Sequence, residues 1–247
     1  MLNVMQIEVV YSPLLYPVRS LQTNHVTVAV DILRATTALC AAFQAGADEV
    51  VPLDSLDPLP DYHRRGYTVA AERGGRKMPL AEVGNSPTEY LTMDLRGRRL
   101  AYSTTNGTVA ILTARGSDEV LVGCFSNLSA LVDRLCRQER DVVVLCSGWK
   151  NDPSLEDSLF AGAMVEKLCV QKEAQTVNDA ALMCRRMWQT AADDPYRFCL
   201  EATHVHRLCS MGAEADIRYA FRIDTCRLVP RLDADGVLRL IDNNEVI

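Results

Sequence analysis

The stretch Val28-Ala29-Val30-Asp31-Ile32-Leu33-Arg34-Ala35-Thr36-Thr37 gathers a carboxylate, an arginine and two hydroxyls where a buried strand turns at once into a helix. Free N–H groups at such a helix start, together with Arg34, Thr36 and Thr37, suit a phosphate. Asp31 suits a magnesium ion. An N-cap aspartate at an ordinary strand-to-helix turn would read the same way, so the weight falls on what accompanies it elsewhere in the chain.

Four further stretches supply that company. Glu72-Arg73-Gly74-Gly75 sets an anion, a cation and two conformationally free residues in a row. The glycines permit close backbone approach to a ligand, Glu72 could ligate magnesium, and Arg73 could bind a phosphate or sulfonate oxygen. A surface turn with an ion pair has the same composition. Asn85 and Ser86 offer donors to an oxyanion, or are simply the loop before Pro87. Ser103-Thr104-Thr105-Asn106-Gly107-Thr108 carries more hydroxyls than one helix cap requires, and makes a cradle for a tetrahedral anion. Glu156 and Asp157 open a long helix, where they complement its dipole and could also share a magnesium ion. Cys146, at a strand end, is a candidate nucleophile, against the commoner case of a buried strand cysteine. His204 and His206 lie two apart, too close to share a helical face, and are not expected to bind metal.

Several phosphoryl-transfer patterns are excluded by inspection. There is no G-x-x-x-x-G-K and no G-x-G-x-x-G. Leu33 stands where a D-x-D phosphatase would need its second aspartate, no cysteine has arginine six positions later, and no Arg-His-Gly triplet occurs. With a formal charge of −6 over 247 residues, a nucleic-acid surface is not expected. An acidic protein that handles an anion must concentrate its arginines locally. Nine cysteines, an odd number with no C-x-x-C pair, read as reduced thiols of a cytoplasmic protein. The N-terminus shows no basic segment followed by an apolar run, so no signal peptide is expected. No apolar stretch approaches the ~20 residues of a membrane span.

The elements that must position these residues alternate. Strands are expected over Ile7 to Tyr11, Val26 to Val30, Glu49 to Leu53, Thr68 to Ala71, Arg99 to Ser103, Glu119 to Val122 and Asp141 to Cys146. Helices fall between them, among them one over about Arg34 to Ala45 that Gly46 stops. A longer helix runs from Ser154 to about Val170, with Ser154 and Asp157 spaced as a capping box. Residues 178–221 are mostly helical by periodicity, and two short strands near Cys226 to Val229 and Val237 to Ile241 finish the chain. Such alternation indicates an α/β fold, a mainly parallel sheet covered by helices on both faces. Ligands of such sheets gather at the carboxyl ends of the strands, where Asp31, Glu72, Thr104 to Thr108 and Cys146 all fall. We expect one domain over 1–247, or two closely joined subdomains meeting near 150–175.

Taken in order, five stretches resemble the 2-phosphosulfolactate phosphatase (ComB-like) family: Val30 to Thr37, Ala71 to Gly75, Gly84-Asn85-Ser86-Pro87, Thr104 to Thr108, and Cys146-Ser147-Gly148 with Ser154-Leu155-Glu156-Asp157. A weaker echo runs through Ser210-Met211-Gly212, Asp216-Ile217 and Val229-Pro230. The resemblance implies a three-layer α/β/α sandwich with a mainly parallel or mixed sheet. It implies a magnesium-dependent phosphatase that hydrolyses 2-phospho-3-sulfolactate to sulfolactate and phosphate, on the route to coenzyme M. One segment departs from the pattern: Pro79-Leu80-Ala81-Glu82-Val83 replaces a Gly-Phe-containing stretch before Gly84, so the non-phosphate end of the pocket is expected to differ.

The resulting expectation is a cytoplasmic phosphomonoester hydrolase acting on a small anionic phosphorylated hydroxy acid, with neither nucleic acid nor membrane as partner and a homo-oligomer as the default assembly. Asp31, Arg34, Glu72 and Cys146 are the catalytic candidates. Arg34, Thr36, Thr37, Arg73, Gly74, Asn85, Ser86 and Thr104 to Thr108, including Gly107, are candidates for substrate binding, and Asp31, Glu72, Glu156 and Asp157 for Mg2+. Direct attack by water is favoured over a phospho-enzyme. The other classes left open are a non-catalytic binding protein for a phosphorylated or sulfonated metabolite, and a phosphotransferase or lyase.

Overall fold

A computed structural model describes residues 4–241. The chain runs β1 (Gln6–Val10), β2 (His25–Val30), α1 (Ala35–Gln44), β3 (Glu49–Leu53), α2 (Leu59–Arg64), β4 (Thr68–Arg73), β5 (Arg76–Lys77), α3 (Pro87–Tyr90), β6 (Arg99–Ser103) and α4 (Gly107–Thr113). It continues through β7 (Glu119–Gly123), α5 (Leu128–Cys136), β8 (Asp141–Cys146), α6 (Leu155–Lys172), β9 (Gln175–Thr176), α7 (Asp179–Ala191), α8 (Pro195–Phe198), α9 (Thr203–Cys209) and α10 (Glu214–Ala220). It closes on a hairpin of β10 (Pro230–Leu232) and β11 (Leu238–Leu240). The fold is an α/β sandwich on a mixed sheet of eleven strands.

Two local expectations shift. The strand expected at Cys226 to Val229 begins instead at Pro230, because Cys226 N–H is spent on the Ser126 carbonyl and Leu228 C=O accepts from Asn127. These groups brace the entry to α5 and leave nothing for a ladder. Asp157, spaced as the capping-box partner of Ser154, accepts instead from Ile32 N–H at 2.8 Å, and Ser154 makes no side-chain cap.

The sheet has two parallel sets. β9, β1, β8, β2 and β7 form one, β3, β6 and β4 the other, and the antiparallel β10–β11 hairpin joins β7 to β3. In a flat sheet that hairpin would leave β3, β6 and β4 running opposite to β7. Asp31 and Glu72 would then lie six strand steps apart, about 29 Å, at opposite edges. They line one cleft, so the sheet does not run flat from one set to the other. At about 20–25° of ordinary twist per step, six steps accumulate roughly 120–150°, which reorients the second set so that its carboxyl ends no longer point away from those of the first.

Side-chain alternation along β2 fixes the two helical layers. Val28 faces the side where Leu131 of α5 and Phe160 of α6 pack, since a Cβ on Gly123 would touch all three. Thr27 faces the other side, where its hydroxyl bonds Tyr16 of a 3-10 turn at Pro13–Val18. Asp31 shares the parity of Thr27 and meets the start of α4. The nine leading residues of α1 are all buried, as expected of a helix enclosed by the curl rather than lying on its outside. The main core draws on residues from Met5 to Leu238. Among the described residues no helix is long and apolar enough to cross a membrane.

Candidate active site at the seam of the sheet

Asp31 ends β2 and caps α1. Its Oδ1 accepts from Ala35 N–H at 3.1 Å. Thr36 Oγ1 accepts from the Asp31 N–H and donates to the Asp31 carbonyl, and Thr37 Oγ1 donates to the Ile32 carbonyl. The two threonine hydroxyls are therefore consumed in shaping the junction and are fully buried. The Leu33–Arg34 peptide is cis. The other carboxylate oxygen looks toward Gly107, the first residue of α4. A Cβ there would stand 2.8 Å from Asp31 Oδ2 and 2.3 Å from Ala35 Cβ. Only glycine lets the two helix starts meet, and this contact joins the two halves of the sheet.

Glu72 approaches from the second set. Its Oε1 accepts from Thr105 N–H at 2.7 Å and its Oε2 from Gly75 N–H at 2.6 Å. The loop can close on its own glutamate because Gly74 and Gly75 both have positive φ, +59° and +79°. Arg34 reaches across the seam. One terminal nitrogen donates to the Gly75 carbonyl at 3.0 Å and the other to Asp216 Oδ2 at 2.6 Å, with both side chains buried. Asp216 is itself held by the hydroxyls of Ser86 and Thr88. Asn85 lines the cleft and accepts from the Tyr102 hydroxyl.

The far wall comes from α9 and the loop after β8. His204 Nδ1 meets Glu156 Oε1 at 2.9 Å, and its ring stacks on Trp149 with centroids 5.7 Å apart. Arg207, one helical turn on, donates to the Gly74 carbonyl. None of His204, Trp149 and Arg207 was expected at the site. The available signal was the spacing of His204, Arg207 and Leu208, which at i, i+3 and i+4 share a helix face. The comparison of His204 with His206 obscured it.

Asp31, Arg34, Glu72, Gly74, Asn85, Thr105 and Asn106 all line the cleft. Thr104 and Thr108 cap one another at the start of α4 instead, and Ser86 supports Asp216. Arg73 turns away, donating to Ser103 Oγ and to the Glu72 carbonyl. Asp157 ties the end of β8 to β2, with Ser147 and Gly148 on Oδ2 and Ile32 on Oδ1. Glu156 stands behind His204, and its Oε2 is buried without a partner. Cys146 corrects its assignment as a nucleophile: it is fully buried, and desolvation next to Asp157 pushes its thiol well above the usual range.

Negative charge is crowded here. Burial raises Asp31 to about 6, with Glu72 and Glu156 adding to the rise while Ala35 N–H and His204 oppose it. Asp157 is raised well above the ordinary carboxylate range by burial and by Asp31 and Glu156.

The family model described as 2-phosphosulpholactate phosphatase matches residues 15–235. The chain belongs to the 2-phosphosulpholactate phosphatase family. The match spans every segment that reaches the cleft, from the β2–α1 junction to Asp216 beyond α9. Relatives named as probable 2-phosphosulfolactate phosphatase include one from Synechococcus sp. that is 35% identical over 85% of this chain and 90% of its own. One from Thermotoga maritima is 32% identical over 86% and 91%, and one from Caldanaerobacter subterraneus is 30% identical over 90% and 92%. As a 2-phosphosulpholactate phosphatase family member the protein is a phosphoric monoester hydrolase, and the seam cleft is the place in the fold where Asp31, Glu72 and Arg34 meet.

Proposed function

We propose that the cleft hydrolyses 2-phosphosulfolactate, or a similar small phosphorylated hydroxy acid, with the help of a magnesium ion. The observation that supports this most directly is the convergence of two buried carboxylates, Asp31 and Glu72, with the buried guanidinium of Arg34 at strand carboxyl ends. A polyanionic substrate entering beside two carboxylates needs a cation to offset the repulsion.

Among the described residues no group of three or more His, Cys, Asp or Glu is spaced to hold a metal ion unaided. Magnesium does not require one, since it commonly uses one or two carboxylates, retained waters and the substrate's own phosphate. Asp31 and Glu72 fit that pattern. Burial chiefly raises the Asp31 pKa, and Glu72 adds to the rise; a cation between the two carboxylates would offset that repulsion. Glu156 and Asp157, proposed as ligands from sequence, do not line the cleft. When bound, magnesium would neutralise charge on the phosphoryl oxygens.

The chain's own residues do the positioning on which phosphoryl transfer mostly depends. Arg34, fixed by Asp216 and the Gly75 carbonyl, presents its remaining N–H groups to an anion. Asn85, Thr105 and Asn106 supply neutral donors. His204, held through Nδ1 by Glu156, is the cleft side chain able to hand a proton from Nε2 to the departing alkoxide oxygen, which leaves as the hydroxyl. The attacking group is water: Cys146 lies outside the cleft, and Asp31 and Glu72 are assigned to the metal. A cytoplasmic location agrees with nine free cysteines.

The test is phosphate release from 2-phosphosulfolactate and 2-phospholactate with and without a chelator. Release that stops on chelation and resumes with Mg2+ supports the proposal. Tight binding without release would make the protein a sensor, and release indifferent to chelation would remove the metal.

A further inference from the structure

The two arginines of the cleft wall differ in what neutralises them. Arg34 is buried against Asp216. Arg207 has no carboxylate at ion-pair distance among the described residues: its recorded partners are the Gly74 carbonyl and the ring of Trp149, 5.8 Å from the guanidinium carbon. The glycine loop makes room for it. A Cβ on Gly75 would come within 3.4 Å of both terminal nitrogens of Arg207 and 3.1 Å of Met211 Cε. A half-buried cation is thus placed by neutral groups alone, on a wall formed by α9, while Asp31 and Glu72 occupy the strand-end side of the same cleft.

A phosphorylated hydroxy acid carries a carboxylate besides its phosphate, and 2-phosphosulfolactate a sulfonate as well. Its phosphate belongs with Arg34 and the carboxylate pair. Its acid group needs a cation away from those carboxylates, and a guanidinium with donors to spare matches either a carboxylate or a sulfonate. We propose that Arg207 binds the second acid group of the substrate and so selects phosphorylated acids over plain alkyl phosphates. This rests on the phosphatase activity proposed above and assigns the specificity end of that site.

The test compares wild type with Arg207→Gln, which removes the charge but keeps a polar side chain, and with Arg207→Lys, which keeps the charge. Substrates are 2-phosphosulfolactate, 2-phospholactate (carboxylate only), O-phosphoisethionate (sulfonate only) and ethyl phosphate (neither). Loss of a charged hydrogen bond should raise KM roughly 10- to 100-fold in Arg207→Gln for the substrates that bear the acid group it holds. Selectivity over ethyl phosphate should fall by the same factor, and Arg207→Lys should recover part of it. Whichever single-acid substrate loses selectivity identifies the group held. Equal losses on all four substrates would show that Arg207 merely buttresses the glycine loop, and no loss would also overturn the proposal. If wild type hydrolyses none of them, the phosphatase proposal fails separately. Calorimetry with sulfolactate then decides for Arg207: binding at least tenfold weaker in Arg207→Gln supports it, and equal binding, or none by wild type, refutes it.

Discussion

Replacing Asp31 by asparagine should abolish phosphate release and stabilise the metal-free protein. The carboxylate is buried, and its pKa rises from 3.8 to about 6. A raised carboxylate favours folding fully below the unfolded value of 3.8, and that contribution is lost as pH rises through 6. A shift of this size costs about 3 kcal/mol at neutral pH. Asparagine keeps an acceptor for Ala35 N–H without the charge. In a protein of this size the gain corresponds to a Tm about 6–12 °C higher at pH 7.5 in EDTA. At pH 5, where wild-type Asp31 is mostly protonated, the difference should shrink to about half. Thermal unfolding of both proteins, at both pH values, with EDTA or with Mg2+, provides the measurement. Added Mg2+ should raise the wild-type Tm and leave Asp31→Asn unmoved. A variant no more stable than wild type at pH 7.5, with a difference insensitive to pH, would refute the claim that an unpaired buried charge is held there.

Three other substitutions probe the frame of the cleft. Asp216→Ala removes the buried partner of Arg34 and should cost about 3–5 kcal/mol in denaturant unfolding, with loss of turnover. Gly107→Ala forces a methyl group against Ala35 and Asp31 and should cost about 1–3 kcal/mol while lowering kcat, since α4 must retreat from α1. Cys146→Ala should leave kcat essentially unchanged, because the thiol is buried in the core, and a large loss of kcat with an unaltered Tm would restore it as a nucleophile.

The local pieces of the site were legible in the sequence because local rules build them. An apolar run ending in Asp31, a glycine pair after Glu72 and hydroxyls before α4 each announce a strand end and a turn. What the hydroxyls do was harder to read. Thr36, Thr37, Thr104 and Thr108 are spent on backbone partners within five residues of themselves, the usual outcome for threonine at a helix start. Strand order carries no local signal, so the facing of Asp31 and Glu72 across a twisted sheet could not be derived. The same applies to α9, which follows Glu72 by more than a hundred residues and meets its loop through Arg207.

The hairpin that joins the two parallel sets has a kinetic consequence. β11 pairs with β3 through Leu238 and Val50, a closure across most of the chain and therefore slow to form. Strands of the second set lie close in sequence and can lay down their ladders first, while the first set must itself bring β1 to β8 and β9. Refolding should thus return far-ultraviolet ellipticity before it returns phosphate release. Asp31 and Glu72 come within reach of one substrate only once the two sets have closed on each other, through the β10–β11 hairpin and the Asp31–Gly107 contact, so enzymatic activity is the clock for a late step of folding.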